Sequence, residues 1–156
     1  MQWQAEHFWS YSLRLYDMPD VAPQLLQLQD RYGLNINDVL LVLYLAESEL
    51  MVSAAQWRVM RKATQSARQQ TQSIRTLRRA AKGTDDYERL KTLELDSEKQ
   101  QQQALLAHLS DLSVMPLSSP LNGLIACASA TKVSVEPGLN EALINLLVAV
   151  NDEARQ

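Results

Sequence analysis

The 156-residue sequence predicts an all-α fold, a single-domain irregular bundle of six to eight helices around one buried central helix. Three observations carry that expectation. The run VLLVLYL, from Val39 to Leu45, is apolar at every position, and a helix that is apolar all round has to be enclosed by other elements. It falls far short of the roughly 20 residues a bilayer crossing needs, so the enclosing material is protein. Only four glycines and five prolines punctuate the chain, whereas an all-β chain needs turn residues about every ten positions. Between them, apolar residues recur at steps of three and four, the signature of one helix face.

The first segment sets Trp3, Phe8, Tyr11 and Leu15 on one stripe, widened by Trp9, Leu13 and Tyr16, and ends before Pro19. These aromatics read as core rather than as a ligand cage. Asp20 is placed as the N-cap of a second helix, with Pro23 in its first turn, where a missing N–H is tolerated. Val21, Leu25, Leu28 and Tyr32 give its face, and Gly33 is the left-handed stop. Asn35 or Asn37 caps the third helix, which contains the all-apolar run. A turn is expected from Ser48 to Val52, then Ser53 as an N-cap.

The fourth stretch is a basic helix from Ala54 to Lys82, stopping at Gly83. Trp57, Met60, Thr64, Ala67, Thr71, Ile74, Leu77 and Ala81 line one face of it, and its polar middle predicts a kink or break near Ala67. Thr84, Asp85 and Asp86 supply the next N-terminus with a cap and with negative charge favourable to the helix dipole. A long helix then runs to about Leu112, with leucines at both ends and a solvated EKQQQQ stretch between. Ser113 to Ser119 reads as a linker. Ser119 and Pro120 open a small-residue helix, PLNGLIACASATK, and after a connection at Val133 to Glu136, Pro137 starts the last one. Leu139, Ala142, Leu143, Leu146, Leu147 and Val150 form its stripe.

The expected organisation is one helical domain over 1–156, with a helical core and basic helix in 1–83 and a long polar helix plus two C-terminal helices in 84–156. Cys127 is the single cysteine, so no intramolecular disulfide is available. With no secretory signal at the N-terminus, the expected compartment is the reducing cytoplasm. Cys127 itself reads as a small buried apolar residue.

Neither metal nor catalytic chemistry is announced. The histidines, His7 and His108, lie a hundred residues apart, and no His, Cys or carboxylate cluster has ligand spacing. The glycines that cradle phosphates and the nucleophile elbow are missing. Asp17, Asp20 and Asp30 read as capping or surface carboxylates rather than as acid-base groups. No catalytic residue, cofactor or metal is therefore expected, and the protein is read as not an enzyme.

One feature resists a purely structural reading. The net charge of −3 hides an uneven distribution: two basic and seven acidic residues before Ser53, eight basic and no acidic from Ala54 to Lys82, and five basic and eleven acidic from Gly83 onward. Arg58, Arg61, Lys62, Arg68, Arg75, Arg78, Arg79 and Lys82 are the candidate interaction surface, because a plain solvated helix mixes signs to gain i,i+4 pairs. Such a face docks either on acidic segments of its own chain or on an external partner. A protein partner is preferred over RNA or DNA, since the chain as a whole is acidic while nucleic-acid binders are basic. The expectation is a non-catalytic, cytoplasmic protein working through protein–protein contact, regulatory or adaptor in kind. Runner-up is a nucleic-acid- or ribosome-associated protein using residues 54–82, with an enzyme of unrecognised type third. A homo-oligomer is compatible with the sequence, and no membrane association is expected.

The stretch FWSYSLRLYDMPDVAPQLLQLQDRYGLNINDVLLVLYLA, from Phe8 to Ala46, resembles a small uncharacterised family of proteobacterial proteins of unknown function. The likeness lies in FW, SL, LY, the LQD of the second helix and the GLN-x-N entry to the third. It extends more weakly to SAAQW and IRTLRRAAK, and the last third departs from the pattern. It implies a cytoplasmic helical protein with no assigned activity, cofactor or catalytic residue.

Overall fold

A computed structural model describes residues 3–110, 113–131 and 137–154. Among them are eight helices and one two-residue strand pair: α1 Ala5–Tyr16, α2 Ala22–Tyr32, α3 Ile36–Ala46, β1 Leu50–Met51, α4 Ala54–Ala63, α5 Gln65–Ala80, α6 Tyr87–Leu109, β2 Met115–Pro116, α7 Pro120–Ser129 and α8 Pro137–Ala154. The chain is all-α, a helical bundle. No described helix is long and apolar enough to cross a membrane.

α3 is its centre. It packs against α1, α2, α6, α7 and β1, and all of Val39 to Leu45 is buried except the partly covered Tyr44. Tyr44 stacks on Phe8 with ring centroids 5.1 Å apart and meets Tyr11 at 5.4 Å, so the aromatics of α1 close one side of it. Asn35 is the cap: its side chain accepts from the Asp38 N–H at 3.2 Å. Gly33 ends α2 at φ +70°, a left-handed conformation that costs any residue with a Cβ. Ser53 and Ser119 cap α4 and α7 through the Gln56 and Asn122 N–H groups.

Several local expectations are corrected. Val21, not Asp20, occupies the cap position of α2; its backbone is already helical and its side chain is fully buried, so packing rather than capping sets that end. The break expected in the polar middle of the basic stretch is present, at Thr64, whose hydroxyl donates to the Met60 carbonyl at 2.8 Å. The apolar stripe of that stretch also fades: Trp57 and Met60 are fully buried but Leu77 is 58% exposed. The expected turn at Ser48–Val52 and the linker at Ser113–Ser119 each contain a strand, paired antiparallel with Leu50 opposite Pro116 and Met51 opposite Met115. Pairing between segments so far apart in sequence leaves no local periodicity to read. The connection at Val133 to Glu136 lies outside the described residues.

The EKQQQQ stretch is not a solvated spacer. Gln101 and Gln102 are each 1% exposed, and the buried positions of α6 run Leu90, Glu94, Ser97, Gln101 and Leu105. This is a helical face whose middle is polar. α5 lies antiparallel along it, as Thr71 opposite Ser97, Arg75 opposite Glu98 and Arg78 opposite Glu94 show.

Candidate functional site, a polar-walled cleft beside neutralised arginines

The acid-free stretch folds onto acids of its own chain. Asp38, at the start of α3, is fully buried. Arg68 grips it with both terminal nitrogens, each 2.7 Å from a carboxylate oxygen, and Arg61 adds a third contact at 3.4 Å. The Arg68 Nε donates to Thr64 Oγ1 at 2.9 Å, so the helix break also serves to aim this guanidinium. On α6, Glu94 accepts from Arg78 Nε at 2.8 Å to both its oxygens. Arg75 reaches Glu98 at 3.2 Å and Glu94 at 3.8 Å. The bond to Glu94 pushes the Arg78 pKa up further, so its charge is permanent.

Of the candidate surface residues, then, Arg61, Arg68, Arg75 and Arg78 are turned inward on Asp38, Glu94 and Glu98. Arg79 makes a 3.5 Å pair with Asp30, but both side chains are more than half exposed, and such a pair contributes little. Arg58, Lys62 and Lys82 are exposed and carry no ion pair among the described residues.

Where α5 and α6 meet α1 and the first turn of α3, the bundle leaves a cleft of about 360 Å³. Its apolar wall comes from Trp9, Leu13 and Tyr16 of α1, Ile36 and Leu40 of α3, and Leu95 of α6. Trp9, Leu13 and Tyr16, expected to widen the core stripe of α1, are thus cleft wall, with Leu13 46% and Tyr16 40% exposed. The Lys99 ammonium sits over the Trp9 ring, 5.9 Å from its centroid. Arg75, Arg78, Glu94 and Glu98 form the charged side, with Asp17 and Lys91 completing it.

The deepest polar groups are amides held in one orientation. The Ser12 hydroxyl donates its hydrogen to the Phe8 carbonyl at 2.9 Å, so its oxygen can only accept from a neighbour. That places the nitrogen of Gln102 against it, at 2.9 Å, and the same nitrogen donates to Asn37 Oδ1 at 3.0 Å. The Asn37 nitrogen then faces Gln101 Oε1 at 3.0 Å and the Glu98 carbonyl at 3.4 Å. Each bond fixes the direction of the next. The relay ends with Gln101 Nε2 and Gln102 Oε1, one donor and one acceptor, both buried and without a hydrogen-bond partner among the described residues. Buried amides nearly always have partners. Two other such atoms, on Gln56 and Trp57, belong to residues that do not line the cleft.

Burial raises the Glu98 pKa above its ordinary 4.5, against the opposing pull of Arg75. Burial likewise raises that of Tyr16, with the Glu98 charge adding to it. Because the folded protein holds the Glu98 proton more tightly than the unfolded chain, ionising it costs stability: stability falls as pH rises through the interval between 4.5 and the raised value and stays lower above it. Glu98→Gln keeps an acceptor for Arg75 and removes that loss. The variant is expected to be at least as stable as the parent at neutral pH, with the difference vanishing below the ordinary carboxylate range, as urea unfolding at several pH values would read.

Neither histidine lines the cleft. The Cys127 thiol is buried, and desolvation raises its pKa well above normal, the opposite of a reactive thiolate. Among the described residues no group of three or more His, Cys, Asp or Glu side chains is arranged to hold a metal ion.

A comparison with known protein families matches residues 7–105 to the family described as protein of unknown function (DUF2390), and the chain belongs to that family. No curated protein matches the chain, and no solved structure does. Every residue lining the cleft lies within the matched segment, whereas α7 and α8 lie beyond it.

Proposed function

We propose that the chain is a non-catalytic binding protein of the cytoplasm that takes a partner group into the cleft between α1, α3, α5 and α6. The observation that carries this reading is a cleft of about 360 Å³ that sets an apolar wall of Trp9, Leu13, Tyr16, Ile36, Leu40 and Leu95 beside the oriented amides of Asn37, Gln101 and Gln102. A small-molecule site has this general make-up, an apolar enclosure of a few hundred Å³ with a few fixed polar groups. The chemistry beside it favours binding over catalysis: the Ser12 hydrogen is already used and neither histidine is near. The single buried cysteine fits a reducing compartment.

A protein partner keeps a specific place in this reading. Leu13, Tyr16 and Leu95 leave 40% or more of their surface exposed on the cleft wall, and a partner segment covering them would bury that apolar area. Nucleic acid has less to hold. With Arg58, Lys62 and Lys82 exposed and Arg79 only weakly paired, duplex affinity should change with salt on a logarithmic slope no steeper than about −4, against about −7 if all eight were free.

The test is a titration of the isotope-labelled full chain with a fragment library and, separately, with a DNA duplex. Fragments that bind should move the Trp9 indole signal and the Gln101 and Gln102 side-chain amide signals. The reading fails if bound fragments leave those signals in place, and a duplex slope near −7 would instead restore the basic face as the working surface.

A further inference from the structure

One side of the α5–α6 hairpin carries the cleft. We infer that the opposite side is a self-association surface that takes a second copy of this chain, the two hairpins packing face to face about a two-fold axis near Leu93. Helix geometry sets the sides. Arg75 on α5 and Leu95 on α6 are cleft wall; Leu77 comes two residues after the one and Leu93 two before the other, each about 200° round its helix from that wall. The helices run antiparallel and meet at Arg78 and Glu94, 2.8 Å apart, so the two leucines come out side by side on the far face. Leu77 is 58% and Leu93 41% exposed. Three positions before each, and therefore on the same stripe, Ile74 is half-buried and Leu90 buried. The four make one apolar patch, and grouped apolar residues mark a contact surface where scattered ones do not.

The charges beside the patch identify the occupant. Along α6, Leu93 stands between Arg89, four residues before it, and Asp96, three after it, both exposed. Asp96 has no ion pair among the described residues, and Arg89 has only a 3.6 Å pair with Asp86 in which both side chains are more than 60% exposed, a contact of little strength. A two-fold axis at Leu93 runs the second α6 in the opposite direction. Leu93 then meets its own counterpart, while Arg89 faces Asp96 of the second copy and Asp96 faces its Arg89. A wholly acidic or wholly basic partner would satisfy one of these charges and oppose the other; a self-complementary contact satisfies both. On the α5 flank, Gln70 and Ser73 are exposed and uncharged, so nothing there repels the copy. The patch is small, which places the contact among weak ones, with a Kd on the order of 100 µM. Dilute chain in an unfolding experiment is therefore monomeric, and both clefts stay open in the pair.

Sedimentation equilibrium of the full chain tests this. The average mass should climb from one chain toward two between about 5 and 500 µM, a range that brackets the expected Kd. Leu77→Asp and Leu93→Asp should each weaken association about tenfold or more, with helical circular dichroism unchanged. The charges give the sharper test. Arg89→Asp sets acid against acid across the axis and Asp96→Arg sets base against base, so each variant alone should associate about tenfold more weakly than the parent. Mixed in equal amounts, the two should associate at least as well as the parent, because one chain then presents acid at both positions and the other base at both. A parent chain that stays monomeric to about 500 µM overturns the inference. So does a dimer that the leucine variants leave intact, or a mixture of the two charge variants that associates no better than either alone.

Discussion

A Leu43→Asp chain is expected to be largely unfolded in water, with lost helical circular dichroism and exposed apolar surface. Leu43 is 4% exposed near the middle of α3, which touches more of the bundle than its own neighbours in sequence. A carboxylate there has no cation to meet and replaces packed methyl groups, a combination that costs about 4 kcal/mol or more. Typical domains are stable by only about 5–15 kcal/mol, so the loss takes most or all of the margin. Leu77→Asp is the contrasting control. It changes the same residue type within the predicted face of the basic stretch, but at 58% exposure it is expected to alter stability by no more than about 0.5 kcal/mol.

Asp38→Ala is expected to destabilise the chain by about 3–5 kcal/mol, read from the urea midpoint. The Asp38 side chain is 1% exposed and that of Arg68 only 12%. Removing the carboxylate leaves the Arg68 guanidinium against the bundle with only its Nε bond to Thr64, and it is this unpaired charge, more than the lost attraction, that sets the size of the effect. Asp38→Asn, which keeps one acceptor oxygen, should cost less. The consequences reach the cleft, because Asp38 adjoins Asn37, the link between Gln101 and Gln102. Ligand affinity should therefore fall in any Asp38 variant that still folds.

The parts of this architecture that show in the sequence are those where one residue decides its own surroundings. Val39 to Leu45 can only be interior, Gly33 marks a left-handed stop, and Ser53, Asn35, Ser119 and the helix-opening prolines announce their ends. Asp20 misleads because a good capping residue one position early does not outweigh a valine that packs completely. The cleft is less legible. Its key glutamines sit on a buried face of α6 that keeps helical spacing through Glu94, Ser97 and Gln101, but a pattern that counts only apolar residues sees a polar spacer there. What would find them is the complement of that stripe: Thr71, Arg75 and Arg78 recur on α5 at steps of four and three, while Glu94, Ser97 and Gln101 recur on α6 at steps of three and four. The acid-free charge of residues 54–82 is visible at once, yet its meaning depends on acids 16 to 30 residues away from their partners, and only the fold brings Asp38, Glu94 and Glu98 to it.

Whether the arginines serve as internal struts, leaving recognition to the cleft, is tested most directly by a double-mutant cycle on Arg78 and Glu94. Stability is measured for Arg78→Ala, Glu94→Ala and the pair together, all by urea unfolding. Geometry of 2.8 Å to both carboxylate oxygens predicts a coupling of about 1–3 kcal/mol, the double variant losing less than the sum of the singles. Single losses that add to within about 0.5 kcal/mol would contradict it, showing that Arg78 does not hold the fold and is free to meet an outside partner.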